Sequence, residues 1–127
     1  MEILLIAVQL FIAAAMFDVW LIRYDKPQRA RGGDATTMVE EFRVYGLPDW
    51  FRNVVRVLKL LSGALLIIGL WVPIAAFVGG IALVVLMGGA IAMHAKAGDP
   101  FHKYVPATTF FLLSCFVVYV RLPEGTL

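Results

Sequence analysis

Residues 72–93 read VPIAAFVGGIALVVLMGGAIAM, a run of 22 residues without a charged side chain. A helix rises about 1.5 Å per residue and needs about 20 residues to cross a hydrocarbon core of about 30 Å. Three further apolar stretches of similar length occupy residues 3–22, 54–70 and 105–122. The sequence therefore predicts an all-α fold with four membrane-spanning helices.

The composition agrees with an integral membrane protein. Hydrophobic residues make up 61% of the chain, charged residues make up 16%, and the mean hydropathy is +0.86. These values lie outside the range of soluble globular domains. Four spans leave no room for a second domain in 127 residues, so residues 1–127 are expected to form one transmembrane domain. The short connections favour an up-down-up-down four-helix bundle in the lipid bilayer.

The basic residues indicate the orientation of the chain. Ten of its eleven Lys and Arg residues lie between Arg23 and Lys103, in or beside the first and third connections. Under the positive-inside rule, the 23–53 and 94–104 connections are cytoplasmic and both termini are extracytoplasmic. The net charge is +2, but the distribution of the basic residues indicates membrane topology, so no nucleic-acid partner is expected.

A short helix is predicted between the first two spans. Thr37 and Glu40 have the spacing of a capping box, and Gly46-Leu47-Pro48 is a stop signal. The helix over residues 37–45 would have one apolar face, made of Met38, Phe42 and Tyr45. We expect it to lie in the membrane interface or against the cytoplasmic mouth of the bundle.

Asp18 and Lys59 are charged residues inside apolar stretches. At about 1.5 Å per residue they lie roughly 6 and 8 Å inside their spans, both toward the cytoplasm. An unpaired charge there costs at least about 2.5 kcal/mol. We therefore predict an Asp18–Lys59 ion pair that faces the interior and serves packing, ligand recognition or proton handling. The alternative for Lys59 is that its side chain snorkels to the interface.

His94 ends the third span on the same side and is the third candidate for a polar layer. No other span carries a histidine, and Cys115 is the only cysteine. A metal or haem site needs more ligands than these, and thiol–disulfide exchange needs a second thiol. The expectation is therefore an interfacial histidine, no metal site and no evident cofactor. No hydrolytic or dinucleotide-binding motif is present either.

Several separated motifs between Gly32 and Ala107 point to one family. They are Gly32-Gly33-Asp34-Ala35, Met38-Val39-Glu40-Glu41-Phe42, Tyr45-Gly46-Leu47-Pro48, Leu58-Lys59-Leu60, Met87-x-Gly89-Ala90, His94, Asp99-Pro100 and Pro106-Ala107. With them the chain resembles the DoxX-like family of small four-span bacterial membrane proteins. The resemblance implies a multi-pass protein of the cell inner membrane. The wider family includes a subunit similar to DoxD of thiosulfate:quinone oxidoreductase, but it offers no catalytic motif to carry over.

Three functions remain open at this stage. The resemblance favours an accessory or redox-partner subunit of a membrane complex, and this subunit would interact with quinone. A quinone pocket would need a hydrogen-bond donor such as Lys59 or His94 at its polar end. The intramembrane charges favour a small-molecule or ion permeation module, which would need a homo-oligomer to form a pore. A structural assembly factor would bind a protein partner through the charged 23–53 connection. The sequence does not decide whether the protein is an enzyme.

Overall fold

The computed structural model describes residues 2–124, and every regular element in that range is a helix. The elements are α1 (Glu2–Phe17), a π-helical segment (Asp18–Ile22), α2 (Met38–Val44), α3 (Asp49–Ile68), α4 (Pro73–Ala97) and α5 (Phe101–Val120). The all-α prediction is confirmed. Three stretches are long and apolar enough to cross a membrane, namely Glu2–Ile22, Pro73–Ala97 and Phe101–Val120.

α3 is equally long but less apolar at its start. It has 20 residues and carries Arg52, Arg56 and Lys59 in its first three turns. The first two of these side chains are hydrogen-bonded to the end of the first helical stretch: Arg52 Nε donates to the Tyr24 hydroxyl at 2.7 Å, and Arg56 Nε donates to the Trp20 carbonyl at 3.0 Å. The charges therefore hold α3 against its neighbour.

The long helices pack in a closed order. α1 packs against α3 and α5, and α4 packs against the same two helices. Small residues on α4 allow close approach, because a Cβ at Gly79 would lie 3.0 Å from the Leu65 Cβ of α3 and one at Gly80 would lie 2.9 Å from the Val118 Cγ2 of α5. The interior between them holds side chains with no exposed surface, Leu5, Ile12, Leu66, Leu83 and Val117.

Two helix starts differ from the sequence-based boundaries. α3 starts at Asp49 and α5 at Phe101, each four or five residues before the apolar stretch that predicted it. Hydropathy marks only the apolar part of a helix, whereas hydrogen bonding continues into its polar first turns. Pro106, the second residue of the apolar stretch 105–122, consequently lies inside α5.

α2 forms where it was predicted. Thr37 is its N-cap, and its hydroxyl accepts the Glu40 backbone N–H at 3.2 Å. The reciprocal half of the capping box is shifted by one residue, since the Glu40 carboxylate accepts from the backbone N–H and hydroxyl of Thr36. Its apolar face is buried: the Phe42 ring centre lies 6.1 Å from that of Trp20. α2 therefore packs on the end of the long helices.

Candidate functional site: a cavity below the short helix

A cavity of about 400 Å³ lies between the long helices, next to α2. Most of its wall is apolar and comes from every helix around it, including Met16, Val55, Leu86, Met87 and Phe110. Its polar lining residues are few and include Arg31, Glu41, Tyr45, Lys59 and His94. An apolar cavity with a few convergent polar groups is the usual form of a small-molecule site.

Lys59 lies on the wall of this cavity and is 8% exposed. Its Nζ lies 4.7 Å from the centre of the Trp20 ring, a cation–π contact. Of the three cations that line the cavity, Arg31 and Lys103 donate hydrogen bonds to backbone carbonyls. Lys59 has no hydrogen bond or ion pair with any residue in the range 2–124. Its ammonium group is therefore available to a ligand.

The predicted Asp18–Lys59 ion pair is wrong. The Asp18 carboxylate lies 2.9 Å from the Arg23 Nε, its side chain is 38% exposed, and it does not line the cavity. The cause is the π-helical segment, in which the Arg23 N–H donates to the Asp18 carbonyl at 2.8 Å. This wider i to i+5 turn brings the two side chains to one face. Asp18 therefore pairs with the half-exposed Arg23, five residues away in the chain, and not with the buried Lys59.

His94 lines the cavity and is buried. Its Nδ1 lies 2.7 Å from Asp99 Oδ2 and 3.5 Å from the Tyr45 hydroxyl. Because a carboxylate only accepts, Nδ1 carries a proton and donates a hydrogen bond to Asp99, so that in the uncharged form of the ring Nε2 is an acceptor. Nε2 has no hydrogen-bond partner within the described part of the chain. The hydrogen bond to Asp99 thus fixes the orientation of the His94 ring, as a carboxylate does for a histidine that acts as an acid or base.

Asp99 fixes both His94 and the first connection. Its side chain is 3% exposed, and Oδ1 accepts the backbone N–H of Gly33 at 2.9 Å. Burial raises the pKa of Asp99, but the hydrogen bonds from His94 and Gly33 and the charge of Lys103 outweigh it and hold the pKa below its ordinary value. Asp99 therefore stays ionised and ties the α4–α5 connection to the loop before α2.

Glu41 and Tyr45 extend the polar group from α2. The Glu41 carboxylate accepts the Gly32 N–H at 2.7 Å and the Tyr45 hydroxyl at 3.1 Å. Burial, followed by the Glu41 charge, raises the pKa of Tyr45, so that its hydroxyl remains a donor. The Arg31 guanidinium lies 3.6 Å from the same carboxylate. The negative charge of Glu41 is therefore already compensated.

Arg31 organises the loop beside the cavity. It is 3% exposed and donates to the carbonyls of Arg23, Tyr24 and Lys26. Burial lowers its pKa, and the Glu41 carboxylate opposes that shift. The guanidinium remains charged even so, because the ordinary pKa of arginine is far above neutral pH. Because one side chain binds three backbone carbonyls, it restricts the conformation of this loop.

Sequence reasoning found two of these groups and missed four. Lys59 and His94 both line the cavity, but Asp18 does not. Arg31, Glu41, Tyr45 and Asp99 were not singled out as site residues. The available signal was weak: Asp99 follows His94 by five residues just before Pro100, and Arg31 precedes Gly32-Gly33. Their convergence depends on contacts between residues far apart in the chain.

The arrangement suits binding more than self-contained catalysis. It offers one unpaired cation, one histidine acceptor and an apolar chamber. Within residues 2–124, no three His, Cys, Asp or Glu residues are grouped to hold a metal ion. A ligand with an apolar body and oxygen-bearing polar groups would find Lys59 and His94 as hydrogen-bonding partners and the hydrophobic wall around the rest of its surface.

Comparison with known proteins gives a family and one weak relative. The model of the DoxX-like family matches residues 29–117. A Bacillus subtilis (strain 168) protein, the uncharacterized protein YdgD, is 39% identical over 56 residues, which cover 44% of this chain and 49% of that protein. The chain thus spans about half the length of this curated relative. No solved structure matches the chain.

Proposed function

Since the chain belongs to the DoxX-like family, we propose that it is a four-span inner-membrane protein that binds a quinone-type molecule in the cavity and serves as an accessory subunit of a membrane redox complex. The observation that carries the proposal is the unpartnered Lys59 on an apolar wall. An ammonium group without a partner in such a place costs free energy. A ligand carbonyl that accepts its hydrogen bond offsets that cost.

The second donor–acceptor group supports the same ligand class. A quinone has two electron-rich carbonyl oxygens on a flat apolar ring, and its reduced form has two hydroxyls. Lys59 can donate to a carbonyl, and Nε2 of His94 can accept from a hydroxyl of the reduced form. Trp20 and Phe110 supply aromatic wall for the ring. The cavity volume of about 400 Å³ lies in the range of small-molecule pockets.

Four spans require that α3 also cross the bilayer. Its three basic residues cluster in the first half, where the cytoplasmic interface would lie, and the rest of the helix is apolar. The Arg52 and Arg56 guanidinium groups bond to Tyr24 and Trp20, so they face protein instead of lipid. This arrangement supports a cytoplasmic position for the 23–53 and 94–104 connections and an extracytoplasmic position for both termini.

The core favours a binding site over a permeation pathway. The cavity reaches from the α2 end only to the level of Lys59 and Val85. Farther along, five side chains without exposed surface fill the space between the helices, namely Leu5, Ile12, Leu66, Leu83 and Val117. Gln9 and Ser114 are also fully buried among these helices, so an ion would have to cross a closely packed layer. A protein partner of the complex could still use the exposed outer side of the first connection, at Asp25, Lys26 and Arg29.

The test uses Trp20 as a reporter. Trp50 and Trp71 are exposed and lie outside the cavity, so replacing both with Phe leaves Trp20, which lines it. The double variant is placed in lipid vesicles and titrated with a long-chain quinone while Trp20 emission is recorded. We expect saturable quenching, weakened about tenfold or more by Lys59→Met, because a hydrogen bond to a charged group contributes about 1.5–3 kcal/mol.

The matched control is Lys26→Met, which removes an exposed lysine from the first connection. It should bind quinone as the parent does. Equal affinity for Lys59→Met and Lys26→Met, or quenching that grows linearly without saturation, would contradict a quinone site at Lys59.

A further inference from the structure

The cavity has an opening on the side of the molecule, and we propose that it is a lateral portal between α3 and α4 through which a tailed ligand enters from the bilayer. The proposal rests on the proposed function for the ligand's head group and adds the class of its tail. The ligand is a membrane-resident amphiphile whose head reaches Lys59 and whose hydrocarbon tail lies in the portal.

The portal is shown by residues that line the cavity and are also exposed on the outside. Val85 and Gly89 of α4, Phe51 of α3 and Pro106 of α5 belong to both sets. Val85 is 69% exposed. Each of these residues borders both the cavity and the outer surface, so the wall of the cavity is at most one residue thick there. Three of the four, Phe51, Val85 and Gly89, belong to α3 and α4, and along them the cavity comes to the outer surface.

The two flanks of α4 identify the gap. Gly79 meets Leu65 and Ser62 of α3, and Gly88 meets Phe111 of α5. At about 100° per residue, Leu86, Ala90 and Met93 lie on the Gly79 flank. These three residues line the cavity, whereas Gly88 does not. The opening thus lies between α4 and α3, and the α5 side of α4 is closed.

The gap lies beyond the point at which α3 and α4 are in close contact. The helices are joined at residues 69–72 and touch at Gly79, where an added Cβ would lie 3.0 Å from α3 atoms. Farther along α4, an added Cβ at Gly89 would meet nothing within 4 Å. α2 fills the end of the space, and the flank between Phe51 and Gly89 stays open.

The depth of the portal determines what it faces. Val85 is the middle residue of α4, which runs from Pro73 to Ala97. It lies about 18 Å along the axis from either end, and Gly89 lies about 12 Å from Ala97. In a spanning helix both positions are inside the hydrocarbon core. At Val85 and Gly89 the portal therefore faces lipid chains, whereas at Phe51, in the first turn of α3, it reaches the end of the helix.

These facts define the ligand more narrowly. A water-soluble compound could reach the portal only at its Phe51 end, whereas a molecule dissolved in the bilayer is already at the depth of Val85 and Gly89. Its polar head gains the hydrogen bond of Lys59 and leaves its tail among lipid-like surroundings. An isoprenoid quinone has this shape. The tail then contributes to entry, because it guides the head into the gap from the membrane plane.

The first test detects the portal without any quinone. The protein with Trp20 as its only tryptophan is placed in vesicles of phosphatidylcholine brominated on its acyl chains, which quench tryptophan by close contact. Gly89→Phe should plug the gap, since nothing stands within 4 Å of an added Cβ. We expect Gly89→Phe to lose quenching of Trp20. Gly89→Leu, a smaller plug, serves as a second variant if the first fails to fold.

The matched control is Ile81→Phe, which adds the same ring to an exposed position of α4 outside the cavity. It should leave quenching unchanged. Equal quenching in both Gly89 variants and in Ile81→Phe would overturn the portal.

The second test separates the portal from the quinone site. A tailed quinone in the vesicle membrane should quench Trp20 at least about tenfold more slowly in Gly89→Phe than in the parent, while a short tail-less quinone should reach the same end point in both. Parent protein that binds neither quinone, yet loses bromolipid quenching in Gly89→Phe, refutes the quinone site and keeps the portal. Quinone binding at equal rates in Gly89→Phe and Ile81→Phe keeps the site and refutes the portal.

Discussion

Lys59 carries a positive charge on the wall of an apolar cavity, 4.7 Å from the centre of the Trp20 ring. The ring offsets part of the cost of burial, since a desolvated cation–π contact contributes about 2 kcal/mol. It cannot accept a directed hydrogen bond as a carboxylate would. The buried charge of Lys59 therefore costs free energy, while its N–H groups are free to donate hydrogen bonds to a ligand. Buried charged groups of this kind are typical of functional sites.

Replacing Lys59 with Met tests this balance in the empty protein. We expect Lys59→Met to raise the free energy of unfolding by about 1 kcal/mol, because the cost of the buried charge exceeds its contact with Trp20. Thermal unfolding in detergent measures the change. A loss of more than about 1 kcal/mol would mean that Lys59 is a structural residue whose contacts outweigh its desolvation.

Asp99 should contribute stability that depends on pH. Its folded pKa lies below the ordinary value, so this contribution is complete above the unfolded pKa of about 3.9 and is lost as the pH falls through the folded value. At neutral pH, Asp99→Asn should lower the free energy of unfolding by about 1–3 kcal/mol, because it weakens bonds from His94 and Gly33. The variant should also lose part of the acid sensitivity below pH 4.

Asp34→Asn provides the control, since Asp34 is exposed in the same loop and makes no side-chain hydrogen bond within residues 2–124. Denaturation curves recorded at several pH values compare the two variants. If both have the same pH dependence, Asp99 is not the group that links the connections.

At the scale of elements, two glycines on neighbouring helices have opposite roles. Gly69 ends α3 where the chain turns into α4, and an added Cβ there would lie 2.7 Å from the Ala76 backbone. Backbone atoms cannot move aside as a flexible side chain can. Gly89 has open space instead. Gly69 therefore lies in a close contact between the two helices, whereas Gly89 lies on the exposed face of α4 beside the cavity.

The pair of variants Gly69→Ala and Gly89→Ala measures this difference. We expect Gly69→Ala to cost about 1–3 kcal/mol of stability through overpacking. Gly89→Ala should be neutral or stabilising by up to about 1 kcal/mol, because alanine is the better helix former. Thermal unfolding of both variants in one detergent provides the comparison. A Gly69→Ala protein as stable as the parent would show that α3 and α4 can separate at the turn.

At the scale of the whole molecule, the open question is whether α3 crosses the membrane. Three helical stretches are apolar enough to do so by composition alone, and α3 would be the fourth crossing. The number of crossings determines the position of the ends. Four crossings place both termini on one side, whereas three would place them on opposite sides.

Reporter fusions at the two ends decide the matter. We expect a phosphatase reporter after Leu127 to be active and a cytosol-dependent fluorescent reporter there to be dark, with the same result for fusions before Met1. Both residues lie outside the described range. A phosphatase inserted after Asp34 should be inactive. Termini with opposite reporter activities would show that α3 does not cross.

The sequence by itself determined the helices and two of the site residues. Hydropathy located the four long helices, and the capping signals placed α2 to within one residue at each end. These features depend on neighbours in the chain, so local patterns are sufficient to find them. Lys59 and His94 were found because a polar group near hydrocarbon is costly and therefore conspicuous.

Only the tertiary structure decided how the polar groups are paired. Asp18 turned to Arg23 because a π-helical turn brought a local partner closer than α3 did. Gly33 meets Asp99 although 66 positions separate them, and no periodicity in the chain encodes that contact. The cavity and its side opening arise where α3 and α4 part beyond Gly79. Such spaces depend on the crossing of whole helices, which sequence patterns do not specify.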